Sequence, residues 1–156
     1  MATFKYGQGS VVSGTNIIIS DAVTSSGNTD FEIIQPANTI VEDVIIRVID
    51  TITIASGDIG LIMGYSSDHT GSEAVDGSTD GLLDGGTELP AGTVFKVSSA
   101  TGFDLGFATG DDTSESAKGD FKSENTTLYG RISATTAASA QGKLEVCVLF
   151  RHFHGV

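Results

Sequence analysis

TIVEDVIIRVIDTITIASGDIGLIMGYS, residues Thr39 to Ser66, is the most apolar and most regularly patterned stretch of the chain, and the fold is read from it. From Thr39 to Asp50, Ile40, Val44, Ile46 and Val48 share one parity, interrupted only by Glu42. Val41, Asp43, Ile45, Arg47 and Ile49 share the other. Side chains alternate faces along a strand, so this pattern describes a long strand with one dry face and one mixed face. After a break at Ser56-Gly57-Asp58, Ile59, Leu61, Met63 and Tyr65 alternate with Gly60, Ile62 and Gly64. That is a second strand, whose glycines let another backbone or sheet come close. Together the two predict the centre of a β-sandwich. The mixed parity at Ile45, Arg47 and Ile49 has two readings, a second covering layer of the same sandwich or a contact with another subunit.

On the N-terminal side, residues 1–16 are polar and rich in Gly and Ser, with Phe4, Lys5 and Tyr6 among them. They read as an arm, up to roughly 50 Å long when fully extended, that either stays free or lies on a neighbour with Phe4, Lys5 and Tyr6 as contacts. Residues 17–156 read as one domain. Ile17-Ile18-Ile19 starts its first strand and Phe31-Glu32-Ile33-Ile34 its second, with turns at Thr24–Asn28 and around Pro36. On the C-terminal side, Ser67 to Leu89 carries Asp68, Glu73, Asp76, Asp80, Asp84 and Glu88, five glycines and no Lys or Arg. It reads as a long acidic surface loop, with one short turn of helix or strand at Leu82-Leu83. Thr109 to Asn125 reads as a second polar loop that could hold a short helix at Ser114–Lys118. Short strands are expected at Thr93–Val97 and Phe103–Phe107, and longer ones at Leu128–Ala134 and Lys143–Phe153. About eight strands with long connections describe an all-β sandwich or jelly roll.

The charge balance narrows the partners. Twenty acids against eight bases give a net charge of -12 in 156 residues. Nucleic acid and anionic membranes both demand clustered Lys and Arg, so neither is an expected partner. No run of about 18 apolar residues is present to span a bilayer. The single cysteine, Cys147, makes no intrachain disulfide and fits assembly in a reducing cytoplasm.

Motifs for chemistry are weak. Asp76-Gly77-Ser78-Thr79-Asp80-Gly81, with Asp84 beyond it, has the oxygen-rich composition of a calcium loop, since a hard cation takes several carboxylates and carbonyls at close spacing. It lacks the flanking helices and the ligand spacing of such loops. Asp76, Asp80 and Asp84 are therefore weak candidates for a structural calcium, and no other cofactor is expected. His152 and His154 share a parity at the end of the last strand, a possible ligand pair, while His69 lies in the acidic segment. No nucleophile elbow or phosphate-binding loop occurs, and Cys147 sits mid-strand as a small hydrophobe. The expectation is a protein that is not an enzyme. With no Trp and only three Tyr, an aromatic platform for sugars is disfavoured too.

Three stretches carry a resemblance. Ile34-Gln35-Pro36-Ala37-Asn38-Thr39-Ile40-Val41-Glu42-Asp43-Val44 is a Pro-containing turn that feeds a strand. Gly60-Leu61-Ile62-Met63-Gly64-Tyr65-Ser66-Ser67-Asp68 is a strand ending in Ser and Asp. Gly142-Lys143-Leu144-Glu145-Val146-Cys147-Val148-Leu149-Phe150-Arg151 is a closing strand. In this order they resemble small structural proteins of tailed bacteriophages, encoded near the major capsid protein. The acidic segment after Asp68 is longer here than in the familiar form. The resemblance implies a decoration, or cement, protein on the outside of the virion capsid. It implies the major capsid protein as partner, a homotrimer at threefold positions, and assembly in the host cytoplasm. The alternative it leaves is a receptor- or carbohydrate-binding sandwich of a tail fibre, neck or tail, which would use the long loops.

Overall fold

The computed structural model describes residues 11–24, 27–69, 75–77, 81–105 and 121–153. Among them there are eleven strands and no helix. The strands are β1 (Val12–Ser20), β2 (Asn28–Gln35), β3 (Thr39–Asp50), β4 (Ile52–Gly64), β5 (Val75–Gly77), β6 (Leu83–Leu89), β7 (Val94–Lys96), β8 (Asp104–Leu105), β9 (Thr126–Ala134), β10 (Ala138–Ala140) and β11 (Lys143–His152). They form two sheets in which every pairing is antiparallel. The first sheet has the order β1-β11-β3-β7. The second has the order β2-β9-β4-β5-β8, with β6 and β10 also paired to β4.

Alternation builds the core shared by the two sheets. Val44, Ile46 and Val48 of β3 and Leu144, Val146, Val148 and Phe150 of β11 are all at most 1% exposed. The second sheet contributes Phe31 and Ile33 of β2, Leu61 and Met63 of β4, and Leu128 and Ile132 of β9 to the same cluster. Gly130 in mid-β9 stands opposite Phe31, and its missing side chain leaves room for that ring. A Cβ there would lie 2.1 Å from the Phe31 ring.

The strand that opens the pattern departs from simple alternation at Glu42. Asp43 pairs with Leu149 but Val41 pairs with Phe150, so Glu42 is an extra residue in the ladder. Such a bulge shifts the side-chain parity. Before it, Val41 and Thr39 point inward and Ile40 is only half-buried; after it, Val44, Ile46 and Val48 take over. The dry parity expected through Ile40 therefore holds only beyond the bulge. The expected break at Ser56-Gly57-Asp58 is also a bulge within one continuous strand, β4, where the register to β6 shifts around Gly57. Thr135 Oγ1 accepts from the Asp58 N–H at 2.9 Å there.

The segment expected as one acidic loop, Ser67 to Leu89, contains β5 and β6. Val75, Leu82 and Leu89 are buried at 0%, 4% and 3% exposure and anchor it to the core. Its glycines have a packing purpose: Cβ atoms on Gly77 and Gly81 would lie 2.4 and 2.7 Å from the ring of Phe103, which covers both. At the other end, Val12–Asn16, read as part of the arm, are paired strand in β1. Residues 1–10, with Phe4, Lys5 and Tyr6, and the expected helix at Ser114–Lys118 lie outside the described residues.

The two sheets are tied at the Pro36 corner. Gln35, fully buried at the end of β2, donates through Nε2 to the Thr39 carbonyl at 3.0 Å and accepts from Tyr65 Oη at 2.7 Å. Lys122 Nζ sits 3.8 Å from the centre of the Tyr65 ring, a cation–π contact.

Candidate interaction surface

The first sheet turns one face to the core and the other away from it. Register and alternation place Val12, Gly14, Asn16 and Ile18 of β1 on the outer face, beside Lys143, Glu145, Cys147, Leu149 and Arg151 of β11. Ile45 and Arg47 of β3 and Val94 and Lys96 of β7 continue it. Among the described residues no strand lies over this face. Ile18 is 60% and Val94 58% exposed. Ile45, Cys147 and Leu149 are half-buried by their neighbours within the sheet.

Charges here are paired. Arg47 binds Glu145, with Nε to Oε2 at 2.9 Å, and Asn16 Nδ2 donates to the other oxygen of the same carboxylate at 3.0 Å. Lys143 lies 3.3 Å from Asp50, and Arg151 pairs with Glu42. Lys96 reaches Asp43 at 3.5 Å. Asp43 is 4% exposed, yet its carboxylate is well supplied: the Val44 N–H, the Ser98 N–H and the Ser98 hydroxyl donate to it at 2.9, 3.1 and 2.6 Å. Four of the chain's eight bases thus meet four of its twenty acids on this face. The face is electrically neutral, and the remaining four bases and sixteen acids carry the whole net charge of -12.

Burial, with a smaller contribution from Glu145, pushes the Cys147 thiol above its ordinary range, so it is a thiol and not a thiolate at neutral pH. In register it stands between Asn16 of β1 and Ile45 of β3. At one end of the same sheet, Phe121 and Phe153 meet edge-to-face at 6.0 Å, and both remain exposed, as does Val11.

The residues singled out in the sequence fall in different places. Ile45 and Arg47 are on this outer face; Ile49 lies at a second register shift, between Val48 and Asp50. Asp76 is half-buried on β5 and Asp84 exposed on β6, while Asp80 is outside the described residues. Among the described residues no three His, Cys, Asp or Glu side chains gather as metal ligands. His152 is hydrogen-bonded through Nε2 to Ser13 Oγ at 2.5 Å, joining β11 to β1; His154 is outside the described residues. Ile18 and Val94 were not singled out. Within a run of three isoleucines periodicity cannot say which one faces out, and only the pairing of Ile18 with Glu145 places it.

A separate open cleft of about 330 Å³ is lined by Asp30, Phe31, Glu32, Ser67, His69 and Tyr129. Asp30 is held by Arg131 and lies 3.6 Å from His69 Nε2.

No family model matches the chain, and no curated protein matches it. Among solved structures, a chain of the cyanophage Pam1 capsid asymmetric unit is similar over 98% of this chain and 93% of its own length, at 15% identity and a TM-score of 0.46. A likeness of that size carries no argument about function.

Proposed function

We propose that this chain is a structural component of a phage virion, a decoration protein that binds the outside of the capsid shell and stabilises it, with the major capsid protein as its partner and no catalytic activity. The observation that carries the proposal is the neutral, partly apolar outer face of the first sheet in a chain of net charge -12. Charges already paired in place, with apolar side chains between them, present a surface that costs less to cover than one of unpaired charges. Everywhere else the acidic excess favours contact with water. The sequence resemblance to small structural proteins of tailed phages supplies the partner and the virion location.

The test is co-sedimentation with shells of the major capsid protein from the same genome. The protein is expected to saturate the shells at a fixed stoichiometry and to raise their disruption temperature. Ile18→Lys and Val94→Lys, both at exposed positions, are expected to weaken binding while leaving the melting temperature of the free protein unchanged. Absence of binding by the unmodified protein sinks the proposal.

A second reading, a receptor- or carbohydrate-binding module, rests on the cleft that sets Tyr129 beside Asp30, Glu32 and His69. Glycan binding that is lost on Tyr129→Ala, with no binding to shells, is the result that favours it.

A further inference from the structure

β1 has a free edge unlike the other edges among the described residues. Proteins guard sheet edges with shortness, charge, proline or bulges, because an unguarded edge pairs with other chains. β7, at the far side of the same sheet, is three residues long, and β8, at the end of the other sheet, is two. β2 is eight residues long but carries Asp30 and Glu32. β1 runs for nine residues, VSGTNIIIS, without a charge or a proline, and its register with β11 is unbroken.

The phase of the ladder shows which groups are free. The His152 N–H donates to the Val11 carbonyl at 2.8 Å, so Val11 and the odd-numbered residues after it exchange hydrogen bonds with β11. Val12, Gly14, Asn16, Ile18 and Ser20 therefore turn their N–H and C=O groups to the open side.

We propose that this edge pairs antiparallel with the same edge of a second copy, about a twofold axis at Asn16, joining two four-stranded sheets into one. Side chains favour that register. Asn16 meets Asn16 at the axis, each Gly14 faces an Ile18, and each Val12 faces a Ser20. On the other face Ile17 meets Thr15 and Ile19 meets Ser13. Every branched apolar side chain thus stands across from a small or polar one, and the five residues that turn their N–H and C=O groups to the open side form hydrogen-bonded pairs throughout. A twofold contact sets each strand against itself, so a charged strand would oppose like with like. β1 has no charge, and the neighbouring sheet face is neutral. It is thus an approach along which two copies of a strongly acidic chain meet without repulsion. The contact closes with two copies. It excludes the threefold assembly that the sequence resemblance carries, and it is independent of shell binding.

The full chain is tested by sedimentation equilibrium up to about 0.1 mM, a range in which a small interface associates. The expected mass is twice 16.1 kDa. Asn16→Pro removes an N–H that β11 does not use, at a position where an edge strand tolerates proline. It is expected to raise the dissociation constant by roughly tenfold or more while the monomer stays folded. Two cysteine variants fix the register, each in a Cys147→Ser background because Cys147 is paired with Asn16. Asn16→Cys puts two thiols across the axis with Cα atoms about 5.5 Å apart, within disulfide reach, and is expected to oxidise to a covalent dimer. Ser20→Cys faces Val12 and is expected to form no covalent dimer under the same oxidation, while still associating non-covalently. A mass of one or of three protomers overturns the proposal. So does an Asn16→Pro variant that still dimerises fully, or equal cross-linking of the two cysteine variants.

Discussion

Arg131 holds Asp30 across the β9–β2 pair with two hydrogen bonds, Nε to Oδ1 at 2.6 Å and Nη2 to Oδ2 at 2.9 Å. The guanidinium hydrogen bonds, working against partial burial, hold the Asp30 carboxyl below the usual carboxylate range. A carboxyl whose value is lower when folded contributes stability above its unfolded value, and that contribution disappears as pH falls through the folded one. Asp30→Asn is therefore expected to be less stable than the unmodified protein at pH 7, and the gap should close as pH falls below about 4. Because the Asp30 side chain is 52% exposed, the gap at neutral pH is expected to be under about 1 kcal/mol. Urea unfolding of both proteins at pH 7 and pH 3 checks the sign.

Asp43 is a harsher position. Its buried carboxylate caps the N–H groups of Val44 and Ser98 and the hydroxyl of Ser98. Asp43→Ala leaves these donors without an acceptor and is expected to cost about 1–3 kcal/mol or more in denaturant unfolding. Ser98→Ala removes only one of the donors and should cost clearly less. Equal effects for the two variants would contradict a carboxylate-centred cap.

Gly130→Ala is expected to destabilise by about 1–3 kcal/mol, because the new methyl enters the space of the Phe31 ring. Phe31→Leu alone should also cost stability. Combined with Gly130→Ala it should cost less than the sum of the two, since the smaller side chain clears the methyl. A double-mutant cycle on melting curves measures that coupling.

Two truncations separate the expected arm from the sheet. Removing residues 1–10 leaves β1 whole and should leave the melting temperature nearly unchanged. Removing residues 1–16 takes away Val12–Asn16 and with them the Ser13–His152 and Asn16–Glu145 hydrogen bonds. That variant should melt several degrees lower, in line with a loss of about 1–2 kcal/mol.

Cys147 should react slowly. With its thiol raised by burial and by Glu145, labelling by a maleimide at pH 7 is expected to lag well behind that of a free cysteine and to accelerate as pH rises. Rapid labelling at neutral pH contradicts this environment.

The all-β class and the long strands β3 and β11 were legible because alternation survives in them: Val44, Ile46 and Val48 on β3, and Leu144 to Phe150 on β11, follow a period of two. The bulge at Glu42 was not legible, since no local signal separates a charged residue facing out from one inserted into the ladder. β5 was hidden, and β6 showed only as a short turn at Leu82-Leu83, for a different reason. They are short and rich in Gly and Asp, and Val75, Leu82 and Leu89 are single apolar residues too sparse to set a period. Their burial depends on β4 and Phe103, which are distant in the chain. Ile45 and Arg47 were visible as a mixed parity. That the same face includes Ile18 and Val94 follows only from β1 and β7 flanking the β11–β3 pair.

The order β1-β11-β3-β7 also fixes when the first sheet can form. Among the described residues β1 finds its only sheet neighbour in β11, and β3 keeps β11 on one side along almost its whole length. Until Lys143–His152 has been synthesised, Val44, Ile46 and Val48 have only the three-residue β7 beside them on their side of the core. Such distant pairing is slow to close and leaves sticky surface bare in the meantime. A growing chain of this protein is therefore most exposed to aggregation just before its last long strand appears, and the strand that ends the wait is also the one that locks the beginning of the chain in place.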